Sequence, residues 1–176
     1  MSTRRSQRRI DPNRLVSTQL TAESAKQSLT AHVQSKGAEV FSKYGPNLGM
    51  NELDALLQDR SCVRYPCTLD FDESSLQPGE FAFAEPKGEQ PEDGFTLHIH
   101  PAYCSRPGVI PHLALYHLVT VNYGEFASPD DAEVFASAAL GVDRELYYRT
   151  LCELADELPD QGTEPEGPHP GCTCGG

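Results

Sequence analysis

The sequence predicts an α+β fold, in which helices pack against a small sheet. Three short stretches between residues 63 and 99 alternate apolar with polar side chains, which is typical of half-buried strands. Residues 108–158 then carry only helical patterns, and two further helical segments precede the strands. Because strands followed by helices are typical of α+β domains, we expect a three-stranded, mainly antiparallel sheet that packs against a buried central helix and further helices.

One domain is expected at residues 39–158, with segments of different composition on either side. Residues 1–20 are polar and contain five arginines, so we expect a disordered basic leader. Residues 21–38 predict a polar helix that is only loosely docked, because its apolar stripe is thin and Gly37 interrupts it. Residues 159–176 are rich in Pro, Gly and Glu, a composition that predicts a disordered acidic tail.

The three predicted strands are residues 63–71, 81–84 and 95–99. Pro66 in the first strand lacks a backbone donor, which indicates an edge position or a bulge. Short connections between strands favour an antiparallel meander, in which neighbours in the chain are also neighbours in the sheet. We therefore expect the strand order to follow the chain.

Local signals also mark the helices. Thr21, Asn51, Ser128 and Asp143 each mark the start of a helical pattern, and their side chains are of the type that caps a helix N-terminus. Gly141 is placed to end the helix that Ser128 begins. Residues 109–123 are apolar on nearly every side, so this helix is expected at the centre of the domain.

The charge distribution excludes several classes of ligand. The net charge is −12, and after residue 14 the chain carries 9 basic and 25 acidic residues. A body this acidic repels phosphate backbones, so a nucleic acid is not expected to bind it. A basic protein partner would suit its acidic last helices. A membrane-spanning helix needs about 18 consecutive apolar residues, and no apolar run in the sequence approaches that length. No secretory signal is recognisable either, so we expect a cytoplasmic protein that does not enter a membrane.

Histidines and cysteines form two candidate metal sites. His98 and His100 are two positions apart on the third strand, so both side chains should leave the face opposite to the strand's apolar residues. With Cys104 nearby, they are a suitable ligand set for zinc. The alternative is that the pair decorates the solvent face of a half-buried strand. Cys172 and Cys174, a Cys-x-Cys pair in the tail, are a second candidate site for a soft metal such as Cu(I) or zinc.

A histidine on the buried helix and a glutamate on the next helix form a further pattern. The buried helix carries His117, and the helix after it reads Asp-Ala-Glu-Val-Phe-Ala-Ser-Ala-Ala-Leu-Gly, in which the glutamate is Glu133. This stretch and the order of elements over about residues 63–141 resemble the compact zincin metallopeptidases of the ImmA/IrrE type. In that family the buried helix carries HExxH, which supplies two zinc ligands and a catalytic glutamate, and the next helix supplies an acidic third ligand. The resemblance therefore implies zinc ligands at His117 and Glu133.

The chain departs from that family at the catalytic positions. Leu118 follows His117, and Val121 stands where the second histidine would be, so there is no HExxH. Without that glutamate and histidine, metal-assisted peptide hydrolysis lacks its base and one ligand. The resemblance thus implies an inactive relative, and we assign no catalytic residue.

These patterns lead to three hypotheses of function. The first is a non-catalytic binding or regulatory module on a zincin-like α+β scaffold. The second is a metal-binding protein or metal-dependent hydrolase that uses His98, His100 and Cys104, together with the tail cysteines Cys172 and Cys174. The third is an accessory subunit that docks a basic partner through its acidic helices. No Gly-rich phosphate loop or nucleotide fingerprint is present in the sequence, so no organic cofactor is expected.

Overall fold

The computed structural model describes residues 21–158, and in that part of the chain the predicted α+β class is confirmed. The described residues form eight main elements in the order α, α, β, β, β, α, α, α, with three short 3-10 turns between them. The helices are α1 (Ala22–Tyr44), α2 (Met50–Gln58), α3 (Ile110–Tyr123), α4 (Pro129–Leu140) and α5 (Arg144–Asp156). The strands are β1 (Cys67–Asp70), β2 (Ala82–Pro86) and β3 (Phe95–Ile99).

The sheet is mixed, with β3 in the centre. Strand β1 pairs with β3 in parallel and β2 pairs with β3 antiparallel, so the order is β1-β3-β2. The predicted antiparallel meander is therefore wrong. The connection between β1 and β2, residues 71–81, is long enough to pass over one face of the sheet and bring β2 to the far side of β3. We call this segment the crossover loop.

The two faces of the sheet differ in chemistry. The inner face packs on α3 through Leu97 and Ile99 of β3, both fully buried, and through Ala82 and Ala84 of β2. Small alanines at these positions let the apolar helix approach β2 closely, whereas Phe83 lies on the outer face and is 37% exposed. The outer face is the one that the crossover loop covers.

Helix α3 forms the centre of the core, as its composition predicts. Nine of its residues are buried, including Leu113, Leu115 and Leu118, and it contacts β2, β3, α4 and α5. Helix α4 lies between α3 and α1, and α5 completes the domain against α4 and α3. Two predicted end signals are confirmed in α4: Ser128 caps it, and Gly141 ends it in a left-handed conformation with φ of 66°. The cap predicted at Asn51 is wrong, because α2 already begins at Met50, with Gly49 at the N-cap position.

Helix α1 corrects the prediction for residues 21–38. It is one continuous helix to Tyr44, so the expected domain boundary at residue 39 falls inside it. Val33 and Gly37 are buried, and Thr30 donates a hydrogen bond of 2.6 Å to Asp131 at the start of α4. A side chain at position 37 would clash with the carbonyl oxygen of Phe135, so glycine allows α1 and α4 to touch there. The helix is therefore docked through the residue that was expected to interrupt it.

Two predicted segments lie outside the described residues and stay predictions. They are the basic leader at residues 1–20 and the tail at residues 159–176. Within residues 21–158, no helix combines the length and the apolar character that crossing a bilayer requires.

Candidate functional site

A cleft opens between the end of the crossover loop, α3, α4 and α5. It has a volume of about 310 Å³. Its lining residues are Gly79, Glu80, Phe81, Ala82, Tyr116, His117, Glu133, Tyr148, Leu151, Cys152 and Ala155. The structure thus brings together His117 and Glu133, the two residues that the zincin resemblance singles out.

His117 is held in an apolar environment. Its ring makes edge contacts with the rings of Phe81, at a centroid distance of 5.7 Å, and Tyr116, at 5.3 Å. Its Nε2 atom is buried and has no hydrogen-bond partner within the described part of the chain. Burial lowers the pKa of His117 to about 4, because the charged imidazolium would lose its water there. The imidazole is therefore neutral at physiological pH.

Glu133 is bound by an arginine on the neighbouring helix. Arg144 donates two hydrogen bonds to Oε2 of Glu133, of 2.9 Å from Nε and 2.7 Å from Nη2, and Nη2 lies 2.7 Å from Oδ1 of Asp130. The hydrogen bond with Glu133 raises the pKa of Arg144. Glu133 lies where the cleft meets a second, more polar depression. This acidic depression is lined by Asp130, Glu133, Asp143, Arg144, Glu145 and Tyr148.

The two tyrosines at the start of α5 have different roles. Tyr147 is 1% exposed and donates a hydrogen bond of 2.6 Å to the carbonyl oxygen of His112. Tyr148 is 51% exposed and lines both the cleft and the acidic depression. Tyr148 is therefore an accessible aromatic surface where the two depressions meet.

His98 and His100 lie on the outer face of the sheet, as predicted from their spacing, but they are not exposed. Both are buried, at 6% and 8% exposure. The Nε2 atom of His98 is 2.8 Å from Oε2 of Glu85. Its Nδ1 atom is buried, has no hydrogen-bond partner among the described residues, and lies 3.9 Å from Oδ2 of Asp70. The Nε2 atom of His100 is 3.3 Å from Oε2 of Glu73 on the crossover loop.

The second nitrogen of His100 shows which tautomer it adopts. Its Nδ1 atom accepts a hydrogen bond of 3.2 Å from the backbone N–H of Ala102. Neutral His100 therefore carries its hydrogen on Nε2, where it can donate to Glu73. His100 accordingly joins the strand to the crossover loop, and His98 contacts carboxylates of the two neighbouring strands, so neither histidine simply faces solvent.

The predicted metal ligands are distributed over separate places. Cys104 is exposed, at the end of the 3-10 turn Pro101–Tyr103, whereas His98 is covered. Across residues 21–158, no three His, Cys, Asp or Glu side chains are arranged so that they could hold a metal ion. Cys172 and Cys174 lie outside the described residues. The zinc sites therefore stay predictions.

Sequence reasoning did not identify several of the residues that build these sites. Leu151, Cys152 and Ala155 of α5 form one wall of the cleft, and no sequence pattern connected these three residues with a site. The carboxylate partners of the two strand histidines come from the crossover loop and from the neighbouring strands. The strand register was the missing information in that case.

Comparison with protein-family models, with curated proteins and with solved structures gives no match to this chain.

Proposed function

We propose that the protein is a non-catalytic binding module, on a zincin-like scaffold, that accepts a small group in the cleft around His117 and Glu133. The observation that carries this proposal is a cleft with mostly apolar walls and a few converging polar groups, in which neither His117 nor Glu133 is set up as a base. We further infer that it acts in the cytoplasm, because the four cysteines of the described residues are all free.

The shape and lining of the cleft support a binding role. Its volume of about 310 Å³ lies at the lower end of the range for ligand sites, about 300–1,000 Å³. Leu151, Ala155 and Phe81 supply apolar surface, while Tyr116 and His117 supply polar atoms. Such a site suits one side chain or a small organic group.

The electrostatics of the cleft argue against catalysis. A histidine whose pKa is about 4 is a weak base at neutral pH. The Oε2 atom of Glu133 is occupied by Arg144, so this carboxylate is oriented for an ion pair. The helix positions that would complete a metallopeptidase site are Leu118 and Val121, and both are buried in the core. The cleft of this protein is thus better suited to binding a ligand than to hydrolysing one.

A fragment screen with the purified protein tests this function. We expect aromatic and aliphatic fragments, observed by ¹⁹F NMR, to bind at the cleft, and we expect Ala155→Phe to abolish that binding by filling it. Arg149→Phe places the same ring on the exposed side of the same helix and should leave binding unchanged. Equal binding to wild type and Ala155→Phe would argue against the proposal, as would peptide cleavage that needs an added divalent metal and disappears in Glu133→Ala.

Zinc binding on the outer face of the sheet is the second candidate function. The observation in its favour is the Nδ1 atom of His98, which is buried, has no hydrogen-bond partner within residues 21–158 and lies 3.9 Å from a carboxylate oxygen of Asp70. On this hypothesis, Cys172 and Cys174 would deliver the metal. We expect about one zinc per chain after purification without an affinity tag, and a loss of that zinc in the double variant His98→Ala/His100→Ala. Metal content that the double variant does not change would exclude this site.

A further inference from the structure

The lining of the cleft has an unusual balance of charge and aromatic surface. Three of its side chains are aromatic, Phe81, Tyr116 and Tyr148, and two are carboxylates, Glu80 and Glu133. Neither lysine nor arginine contributes to it within residues 21–158. Aromatic faces and carboxylates both attract cations, the first through the negative face of the ring and the second through charge.

His117 does not offset this negative character. Its pKa of about 4 keeps it neutral at physiological pH. Arg144 offsets Glu133 in part, but its two hydrogen bonds to Glu133 both go to Oε2, from the side of the acidic depression. Glu80 accepts a hydrogen bond of 2.8 Å from the backbone N–H of Gln77 and has no cationic side chain bonded to it within the described residues. The cleft is therefore negative at neutral pH, and an anionic ligand would be repelled.

The acidic depression extends this chemistry beyond the cleft. It shares Glu133 and Tyr148 with the cleft and adds Asp130, Asp143 and Glu145. Arg144 demonstrates that a guanidinium group fits among these carboxylates, since it bonds to both Asp130 and Glu133. A ligand that leaves the cleft on this side meets further negative charge, which favours an extended basic chain over a small isolated amine.

Building on the proposed binding function, we propose that the occupant of the cleft is a lysine or arginine side chain of a basic peptide segment. Its aliphatic part packs on Leu151 and Ala155, and its cationic end lies among Tyr116, Tyr148 and the carboxylates. Neighbouring residues of the peptide pass over the acidic depression. The net charge of −12 assists the approach of such a partner from a distance.

Three matched peptides test this inference. They are acetyl-Ala-Leu-X-Leu-Ala-amide with X as lysine, norleucine or glutamate, and binding is followed by NMR shifts of backbone amides at Ala82 and Cys152. We expect the lysine peptide to bind about tenfold more tightly than the norleucine peptide, with the glutamate peptide weakest, and this preference should shrink as KCl is raised. Equal affinity for lysine and norleucine would overturn the cationic preference while leaving the binding function intact, whereas no binding of any peptide or fragment would overturn both.

Variants of Tyr148 and Glu80 test whether these two residues cause the preference for lysine. Tyr148→Leu and Glu80→Gln should each reduce the lysine preference severalfold and leave norleucine binding nearly unchanged. Glu153→Gln removes one charge from α5 outside the cleft and should behave as wild type. Hexylammonium serves as a free alkylamine. If hexylammonium binds and the lysine peptide does not, the proposal that the cation belongs to a peptide is wrong.

Discussion

His98 on the outer face of the sheet and His117 on α3, beneath the inner face, are both largely buried but differ in their polar neighbours. His98 lies between two carboxylates, with Nε2 2.8 Å from Glu85. His117 is surrounded by aromatic and apolar side chains, and its buried Nε2 atom has no partner among the described residues. Burial with a charged partner ties a histidine into the structure, whereas burial without one keeps the ring neutral and leaves it available to a ligand.

This difference separates the two strand histidines from the histidine of the cleft within one small domain. The strand pair, His98 and His100, contacts carboxylates that hold the crossover loop and the edge strand in place. His117 faces a cleft, and no group within residues 21–158 satisfies its Nε2 atom. The spacing of His98 and His100 is the more obvious metal pattern in the sequence, yet the open cavity is at the isolated histidine.

Lowering the pH is expected to cause the largest change in the free energy of unfolding. Burial holds the pKa of His117 near 4, whereas a histidine in an unfolded chain titrates near 6.5. As the pH falls through this window the unfolded chain binds the proton first, so the stability contributed by neutral His117 is complete above about pH 6.5 and is lost towards pH 4. At about 1.4 kcal/mol per pH unit, the full loss is about 3 kcal/mol.

Urea unfolding of wild type and His117→Leu across pH 7 to 4.5 measures this loss. Leucine has a similar volume and does not titrate, so the variant should lose about 2 kcal/mol less than wild type over that range. Carboxylates with lowered pKa values, such as Asp131 and Asp59, weaken both proteins equally and cancel in the comparison. If the free energies of unfolding of the two proteins fall in parallel as the pH is lowered, His117 is not desolvated in the folded state.

Removing the partner of His98 is expected to give the next largest effect. Glu85→Ala leaves both ring nitrogens of a buried imidazole without a hydrogen-bond partner among the described residues, which should destabilise the fold by about 2 kcal/mol at pH 7. Glu89→Ala removes an exposed glutamate nearby in the chain and should change the stability by less than about 0.5 kcal/mol. Because Glu85 also accepts a hydrogen bond from Ser75, Ser75→Ala measures that contribution separately. Equal stabilities of the two glutamate variants would contradict the assigned role of Glu85.

Helix positions could be predicted from the sequence because their signals are local. The side chain of Thr21 accepts from the N–H of Ser24, and the side chain of Asp143 accepts from the N–H groups of Glu145 and Leu146, as expected for N-caps. The sheet order could not be predicted, because alternation shows which residues share a face but not which strands are neighbours. The docking of α1 was missed for a similar reason, since Gly37 is a contact point only when the backbone of Phe135 is opposite it.

The candidate site was predictable in part. His117 and Glu133 could be linked because two successive helices of a recognisable pattern carry them, and the structure places both in one cleft. The contribution of Tyr148 and Cys152 depends on how α5 packs back on α3, which is a long-range contact. The partner of His98 depends on the register of β2 against β3, which sets Phe83 opposite His98 and Glu85 opposite Thr96 on the same face of the sheet.

Removing the partner of His100 should have the smallest effect and distinguishes the two strand histidines. Glu73→Ala deletes a carboxylate that is 56% exposed, while Nδ1 of His100 keeps its hydrogen bond from Ala102, so we expect a loss of about 0.5 kcal/mol. Nitrogen-15 shifts of the His100 ring should still report the tautomer with hydrogen on Nε2, because the Ala102 contact selects it. A destabilisation as large as that of Glu85→Ala, or a change of tautomer, would mean that Glu73 rather than the backbone holds His100.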